Sequence, residues 1–445
     1  MLYGIVGDVR TLSSLFSSHF FKGSLVFGVA SFITSVLNYF FNLIVARGFD
    51  LNQYGEYMSA LSYSSLLAVP FSALNIVIIA RIGALPVEER LAYAQKMHGW
   101  LLKIFKKNTF LLALFCGGFI SIAVFFANIT FSSAVFILSV VVSGVFVTFY
   151  LAILQAQKRF LLSGAYLSGI SLVKVLAGLV VLFVFPSLTA LYVIIILASI
   201  FGIVIGAWYI GALGFGPPLV IKGAVLRQKS TQEIGGDVFS VLRDSKVWLP
   251  TITMLGVVGM IQLDLVLVKY FFSGQDAGLY AGLSLLGKMV LYVSSPLSLV
   301  AFTYFTAQEN KHERSKIAFL TVFLLLLSGG IISLLYFWYA EFIVLLIFGE
   351  KFLAIAPYAW LCAIFGTLYS IVSLFAQYLL AQESKIALLS LFGLTIQTIL
   401  LLAWHGSFAE VLLVNSVVSL SMIVLYIVCS SHFVWQKILI HVRKT

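Results

Sequence analysis

The chain has 445 residues, 62% of them hydrophobic and only 10% charged, with 40 Phe, 20 Tyr and a mean hydropathy of +1.10. So little polar material excludes a water-soluble globule, because lipid must supply most of the surroundings. The net charge of +11 marks membrane topology rather than a nucleic-acid binder, since the basic residues gather in the segments between apolar runs.

The first 20 residues hold no long apolar run before Phe20 and do not read as a cleavable signal. Residues 8–21 suit either a frayed terminus or a short amphipathic helix on the inner face, with Leu12, Leu15, Phe16 and Phe20 as its stripe. Twelve apolar spans follow, at about 22–45, 57–80, 107–127, 131–155, 161–184 and 189–211, then 247–268, 279–305, 317–338, 354–379, 386–404 and 409–431. With the N-terminus inside, 22 of the 27 Lys and Arg fall in the inner segments. Arg47, Lys269 and Lys351 lie at the opposite face, and Lys174 and Lys288 lie within spans. That bias predicts both termini in the cytoplasm.

The longest inner connection, residues 212–246, divides the chain into two lobes of six spans, 1–225 and 226–445. Gly55-Glu-Tyr57 after the first span recurs as Gly278-Leu-Tyr280 after the seventh, offset by 223 positions. Leu154-Gln-Ala-Gln157 near the end of the fourth span has a counterpart in Leu380-Ala-Gln382 near the end of the tenth. Taken alone, each Gly-x-Tyr reads as a generic outer turn; in register, they point to an internal duplication. Six spans separate equivalent positions, so the halves are expected to be parallel, with a pseudo-two-fold axis along the membrane normal and a central cleft. The expected fold is thus all-α, a polytopic membrane protein of two six-helix bundles.

Several residues stand out against this apolar background. Asn38 and Asn42 share a helical face leading to Arg47. Two readings stand for Arg47: the mouth of a cleft for an anionic, sugar-bearing head group, or a side chain snorkelling to outer lipid head groups. Lys174 and Lys288 are costly at membrane depth, and neither has an acidic residue three or four positions away. Each is read either as facing the cavity or as a structural group. Asp264, flanked by Gln262 and Lys269, is the one carboxylate well inside a span. It can carry a coupling ion or neutralise a lysine across the cleft, and pairing is the preferred role. Gln155, Gln157, Gln308, Gln377 and Gln382 sit near inner helix ends, read either as closing the inward side or meeting sugar hydroxyls or as ordinary helix-end polarity, and Pro70 and Pro296 can bend spans two and eight. Cys116, Cys362 and Cys429 lie in apolar spans with no ligand spacing and read as core fillers. No phosphate-binding Gly-x-x-x-x-Gly-Lys loop, His-Glu-x-x-His or serine elbow is present. No catalytic residue, metal or cofactor is therefore expected, and an enzyme is the lesser reading.

Asn42-Leu-Ile-Val-Ala-Arg47 leads into Tyr54-Gly-Glu-Tyr57, Asp264-Leu-Val-Leu-Val-Lys269 leads into Gly278-Leu-Tyr280, and Ile347-Phe-Gly-Glu-Lys-Phe352 precedes the tenth span. In this order the segments resemble the polysaccharide transporter family of the multidrug/oligosaccharidyl-lipid/polysaccharide (MOP) exporter superfamily, over nearly the whole chain. The resemblance implies a MATE-like bacterial inner-membrane flippase for undecaprenyl-pyrophosphate-linked oligosaccharide, of the O-antigen or capsule type. It also implies membrane lipids, a coupling H+ or Na+, and polysaccharide polymerase or assembly proteins as partners. The basic residues that meet the family's requirement for a cationic cavity are Lys174, Lys288 and Arg47. The lipid II flippase branch usually has two further C-terminal spans. The drug/cation antiporter branch typically carries acidic residues in the N-terminal cavity, where spans one to six here carry none. A small-molecule exporter remains the alternative, with a membrane-embedded polymerase or ligase behind it.

Overall fold

The computed structural model describes residues 19–126, 128–211, 245–307 and 311–442. Residues 1–18 and 212–244 lie outside these, and with them most of the proposed N-terminal amphipathic stripe and of the central connection. Thirteen α-helices make up the described chain. They are α1 (His19–Gly48), α2 (Leu51–Ala84), α3 (Val87–Lys107), α4 (Thr109–Phe126), α5 (Phe131–Ala156), α6 (Phe160–Val184) and α7 (Leu188–Tyr209). Then come α8 (Ser245–Phe271), α9 (Gly274–Ala307), α10 (Lys311–Ile347), α11 (Ala359–Ala381), α12 (Leu389–Ala403) and α13 (Phe408–Val442). Short 3-10 turns at Glu350–Tyr358 and Lys385–Leu388 lead into α11 and α12.

Every predicted span coincides with a helix, but the count changes. Among the described residues ten helices are long and apolar enough to cross a membrane, or eleven if the pair α3–α4, bent by 63°, is one span. The long helix outside this count is α2, which carries Glu56, Pro70, Asn75 and Arg81 along its length. The additional helix is α3. Its lysines and glutamates place it in a loop by hydropathy, yet Ala94, Met97 and Leu101 at helical spacing bury one side against α2 and α5. Large apolar side chains such as Phe115 in α4, Phe183 in α6, Phe319 in α10 and Phe392 in α12 point outward, as lipid-facing surfaces require.

The packing partners repeat in order. In the first part of the chain α1 packs on α6, α2 on α5, α4 on α5, α5 on α7 and α6 on α7. In the second, α8 packs on α12, α9 on α11, α10 on α11, α11 on α13 and α12 on α13. The two sets are joined through α2 against α8 and α9, and through α1 against α9. Individual bonds repeat too. Ser168 Oγ donates to the Ala30 carbonyl at 3.2 Å, and Ser390 Oγ donates to the Thr253 carbonyl at 2.9 Å. Tyr57 donates to Asn42 Oδ1 at 3.0 Å, and Tyr280 donates to Asp264 Oδ2 at 2.7 Å.

The two Gly-x-Tyr motifs are not turns. They lie in the second turns of α2 and α9 and touch each other: a Cβ on Gly55 would come within 2.7 Å of the Gly278 backbone nitrogen, and one on Gly278 would collide with the Leu51 carbonyl oxygen. Only glycine lets the two helices approach this closely.

Candidate functional site

A cavity of about 410 Å³ opens between α1, α9 and α11. Its lining comes from the first half of α1 (Gly28, Ser31, Phe32, Ser35), the second half of α9 (Leu291, Tyr292, Ser294, Ser298) and the second half of α11 (Ser370, Ser373, Gln377). These segments all lie toward the face at which α1 begins, called here the N-terminal face. Six serines and a glutamine converge, and no charged residue lines the space among the described residues. The serine hydroxyls partly spend their protons on their own helices, as Ser35 does on the Ser31 carbonyl at 3.0 Å and Ser370 on the Gly366 carbonyl at 2.8 Å. Their oxygens remain able to accept.

Aromatic rings close the far end of the cavity. Tyr39 and Tyr292 meet edge to face with centroids 5.9 Å apart. Tyr39 and Tyr336 each place a hydroxyl on the Met289 sulfur, at 3.4 and 3.3 Å. One turn past Tyr292, Lys288 donates to Gln262 Oε1 at 2.9 Å, which also accepts from Ser62 at 3.0 Å. Lys174 on α6 donates to Asn38 Oδ1 and stands over the Phe41 ring at 4.7 Å. Asn38 in turn donates to Ser171 at 3.2 Å.

Of the residues singled out in the sequence, Asn38, Asn42, Arg47, Lys174, Asp264, Lys269 and Lys288 all lie outside the cavity lining. Both intramembrane lysines are tied to amide oxygens. Asp264 is buried and takes its bonds from Tyr280, from Asn415 at 3.1 Å and from the Leu265 backbone at 2.7 Å. Gln397 completes this knot by donating to Asn415 Oδ1 at 2.7 Å. The hydrogen bonds of Asp264 thus come from neutral donors; Lys288, the lysine whose charge acts on it, is bonded to Gln262 and makes no direct ion pair with it. Gln377 does line the cavity, whereas Gln157 accepts from Tyr209 at 2.7 Å and Gln382 caps α11. Gln308 lies outside the described residues. The three cysteines are free, and no His/Cys/Asp/Glu group able to hold a metal occurs among the described residues.

The opposite face is sealed by cations that cross between the two sets of helices. Arg47, at the end of α1, donates to the Ile347 carbonyl at 2.9 Å and to that of Leu346, the last carbonyls of α10. Lys351 answers by donating to the Arg47 carbonyl at 3.1 Å and to that of Phe49, just past the end of α1. Cations at helix C-termini complement both the free carbonyls and the helix dipole. Lys269 on α8 forms an ion pair of 2.9 Å with Glu56 on α2, and Glu56 also accepts from the Thr130 amide at 2.9 Å. All three basic residues that break the topological bias are therefore used in this seam. Arg47 is part of a closed junction rather than an open mouth. Glu56 corrects a second expectation: α2 begins at Leu51, so a carboxylate does stand inside a helix of the N-terminal half, at its far end.

No family model matches the chain, and no curated protein matches it. Solved structures do. The lipid II flippase MurJ in an inward closed conformation has a TM-score of 0.65 at 12% identity, covering 92% of this chain and 87% of that one. The inward-facing conformation of a multidrug resistance MATE family transporter of the MOP superfamily gives 0.63 at 13% identity, covering 92% and 95%. An outward-facing conformation of such a transporter gives 0.57 at 10% identity, covering 92% and 96%. What these proteins share with this chain is the fold.

Sequence reasoning overlooked the serines, and it placed Lys351 at the outer face and Glu56 in a motif without finding their partners. A signal for the serines existed: Ser31 and Ser35, Ser294 and Ser298, and Ser370, Ser373 and Gln377 recur at three- and four-residue spacing on otherwise apolar helices.

Proposed function

We propose that this protein is an alternating-access transporter of a bacterial inner membrane that turns a polyprenyl-pyrophosphate-linked oligosaccharide from the cytoplasmic to the outer leaflet. The observation that carries this reading is the cavity: lined by hydroxyl groups and the Gln377 amide, with no carboxylate among its described lining residues, and lying toward the face opposite the cation-held seam. Hydroxyl and amide groups suit a polyhydroxylated head group, while a cationic drug would call for a carboxylate in the lining. In this reading both termini are cytoplasmic, the chain crosses the membrane twelve times, and residues 1–225 and 226–445 form two lobes about a pseudo-two-fold axis. The recurring packing partners support the lobes.

Lys174 and Lys288, held near the closed end, become the groups that receive phosphate when cargo displaces their amide partners. Asn38 and Gln262 then serve as holding partners that keep the lysines satisfied in an empty site. Asn42 and Asp264 act by fixing Tyr57 and Tyr280 beside the glycine contact, and Arg47 and Lys269 act in the outer seam.

The decisive experiment is a flipping assay in proteoliposomes with a fluorescent polyprenyl-pyrophosphate oligosaccharide. Ser373→Leu should cut flipping by roughly tenfold or more while leaving folding intact, because it fills the cavity without burying a charge. Lys174→Ala and Lys288→Ala should each cut it as well, at normal membrane levels. Wild-type rates in all three variants would sink the proposal. A second reading, export of small molecules, is favoured by the multidrug resistance MATE family transporter structures that share the fold. It predicts efflux of an uncharged amphiphile with no flipping of the lipid-linked sugar.

A further inference from the structure

We propose that the outward side of α3 is a docking surface for anionic phospholipid head groups of the leaflet at the N-terminal face. The proposal stands on the membrane fold alone and does not depend on the cargo. α3 is held rigidly by its inner side. Arg90 donates to the carbonyls of Gly83 and Leu85 at the end of α2, both at 2.9 Å, and to that of Ala156 at the end of α5 at 3.0 Å. Gln95 donates to the Ile210 carbonyl just past α7 at 2.6 Å. Ala94 and Met97 are buried, and Phe105 meets Phe146 at 5.3 Å between centroids.

The other side carries Lys96, Lys103 and Lys107 at i, i+7 and i+11, with Lys106 beside them, and all four are exposed. The apolar stretch begins two residues later. α4 has 18 residues, about 27 Å of helix, close to a hydrocarbon layer of about 30 Å, and Phe110, Leu111, Leu114 and Phe115 on it are exposed. Lys103, Lys106 and Lys107 are thereby set at the level where head groups meet hydrocarbon. Exposed Leu102 among the lysines suits a bilayer interface better than a soluble acidic partner. The carboxylates of α3, Glu88 and Glu89, are at its opposite end, where the end of α5, met by Arg90, adds two cations, Lys158 and Arg159. Through Arg90 and Gln95, head groups gathered on this face would bear on the ends of three helices of one half. In the second half α10 runs unbroken from Lys311 as far as a kink at Tyr339.

The test uses full-length protein in nanodiscs of phosphatidylcholine and phosphatidylglycerol, with retained lipid quantified by mass spectrometry after transfer to detergent. Wild type should retain phosphatidylglycerol preferentially. The variant Lys96→Gln/Lys103→Gln/Lys106→Gln/Lys107→Gln should lose that preference by roughly tenfold, and Lys385→Gln should keep it. Should the fourfold variant not fold, Lys103→Gln/Lys107→Gln is read in its place, with a smaller loss in the same direction. Unchanged preference in the α3 variants, or an equal loss in Lys385→Gln, overturns the proposal. So does a wild type that retains both lipids equally while binding a soluble polyglutamate through these lysines.

Discussion

Gly278 has no room for a side chain, because a methyl group there would enter the Leu51 carbonyl. Ala at this position must push α2 and α9 apart at the face opposite the N-terminus. With spin labels at exposed positions Asp50 and Glu350, Gly278→Ala should lengthen the inter-label distance and shift the population toward an opened seam; an unchanged distance distribution would contradict the contact. The Gly-x-Tyr repeat was legible in the sequence, but its meaning was not. A glycine before an aromatic residue at the start of a span reads equally as a turn, and only the facing helix reveals that backbone meets backbone. Asp264 is a similar case. Its isolation among apolar residues was plain, yet its partners Tyr280 and Asn415 lie 16 and 151 positions away, and no local spacing could choose them over a lysine.

At the level of elements, reciprocal capping of α1 and α10 decides how firmly the seam is held. Each cation at a helix C-terminus contributes about 0.3–1 kcal/mol. Arg47→Ala with Lys351→Ala should therefore loosen the junction without unfolding the protein. A shift of about 1–2 kcal/mol changes a two-state population by roughly 5- to 30-fold. It should appear as faster modification of a cysteine placed at the buried position Phe49, and no gain in reactivity would show that the carbonyl contacts carry no weight. Span positions were legible because about 20 consecutive apolar residues leave few alternatives. α3 was not, since hydropathy averages its lysines with Ala94, Met97 and Leu101 and hides a helical period that a moment would detect.

For the whole molecule, the polar cavity and the sealed face are two halves of one arrangement. The charge bias made the ends of the spans legible, and the repeat made the order of packing legible. The cavity was not, because its serines come from α1, α9 and α11, segments more than 70 residues apart, and each serine alone is unremarkable in a membrane helix. The same topology also explains why conspicuous charges lie outside the cavity. An empty membrane site cannot leave lysine unpartnered, so Lys174 and Lys288 are drawn to amides in neighbouring helices.

The glycine contact has a mechanical consequence. Gly55 and Gly278 bring the two sets of helices together near one end of long rods, so this point can act as a pivot. From Gly278 to Ala307, α9 extends about 44 Å. A rotation of only about 10° at the pivot would move its other end by about 8 Å, enough to admit or exclude a sugar ring. Small backbone adjustments at two glycines thus become large changes in aperture at the opposite surface, with the helix itself as the lever.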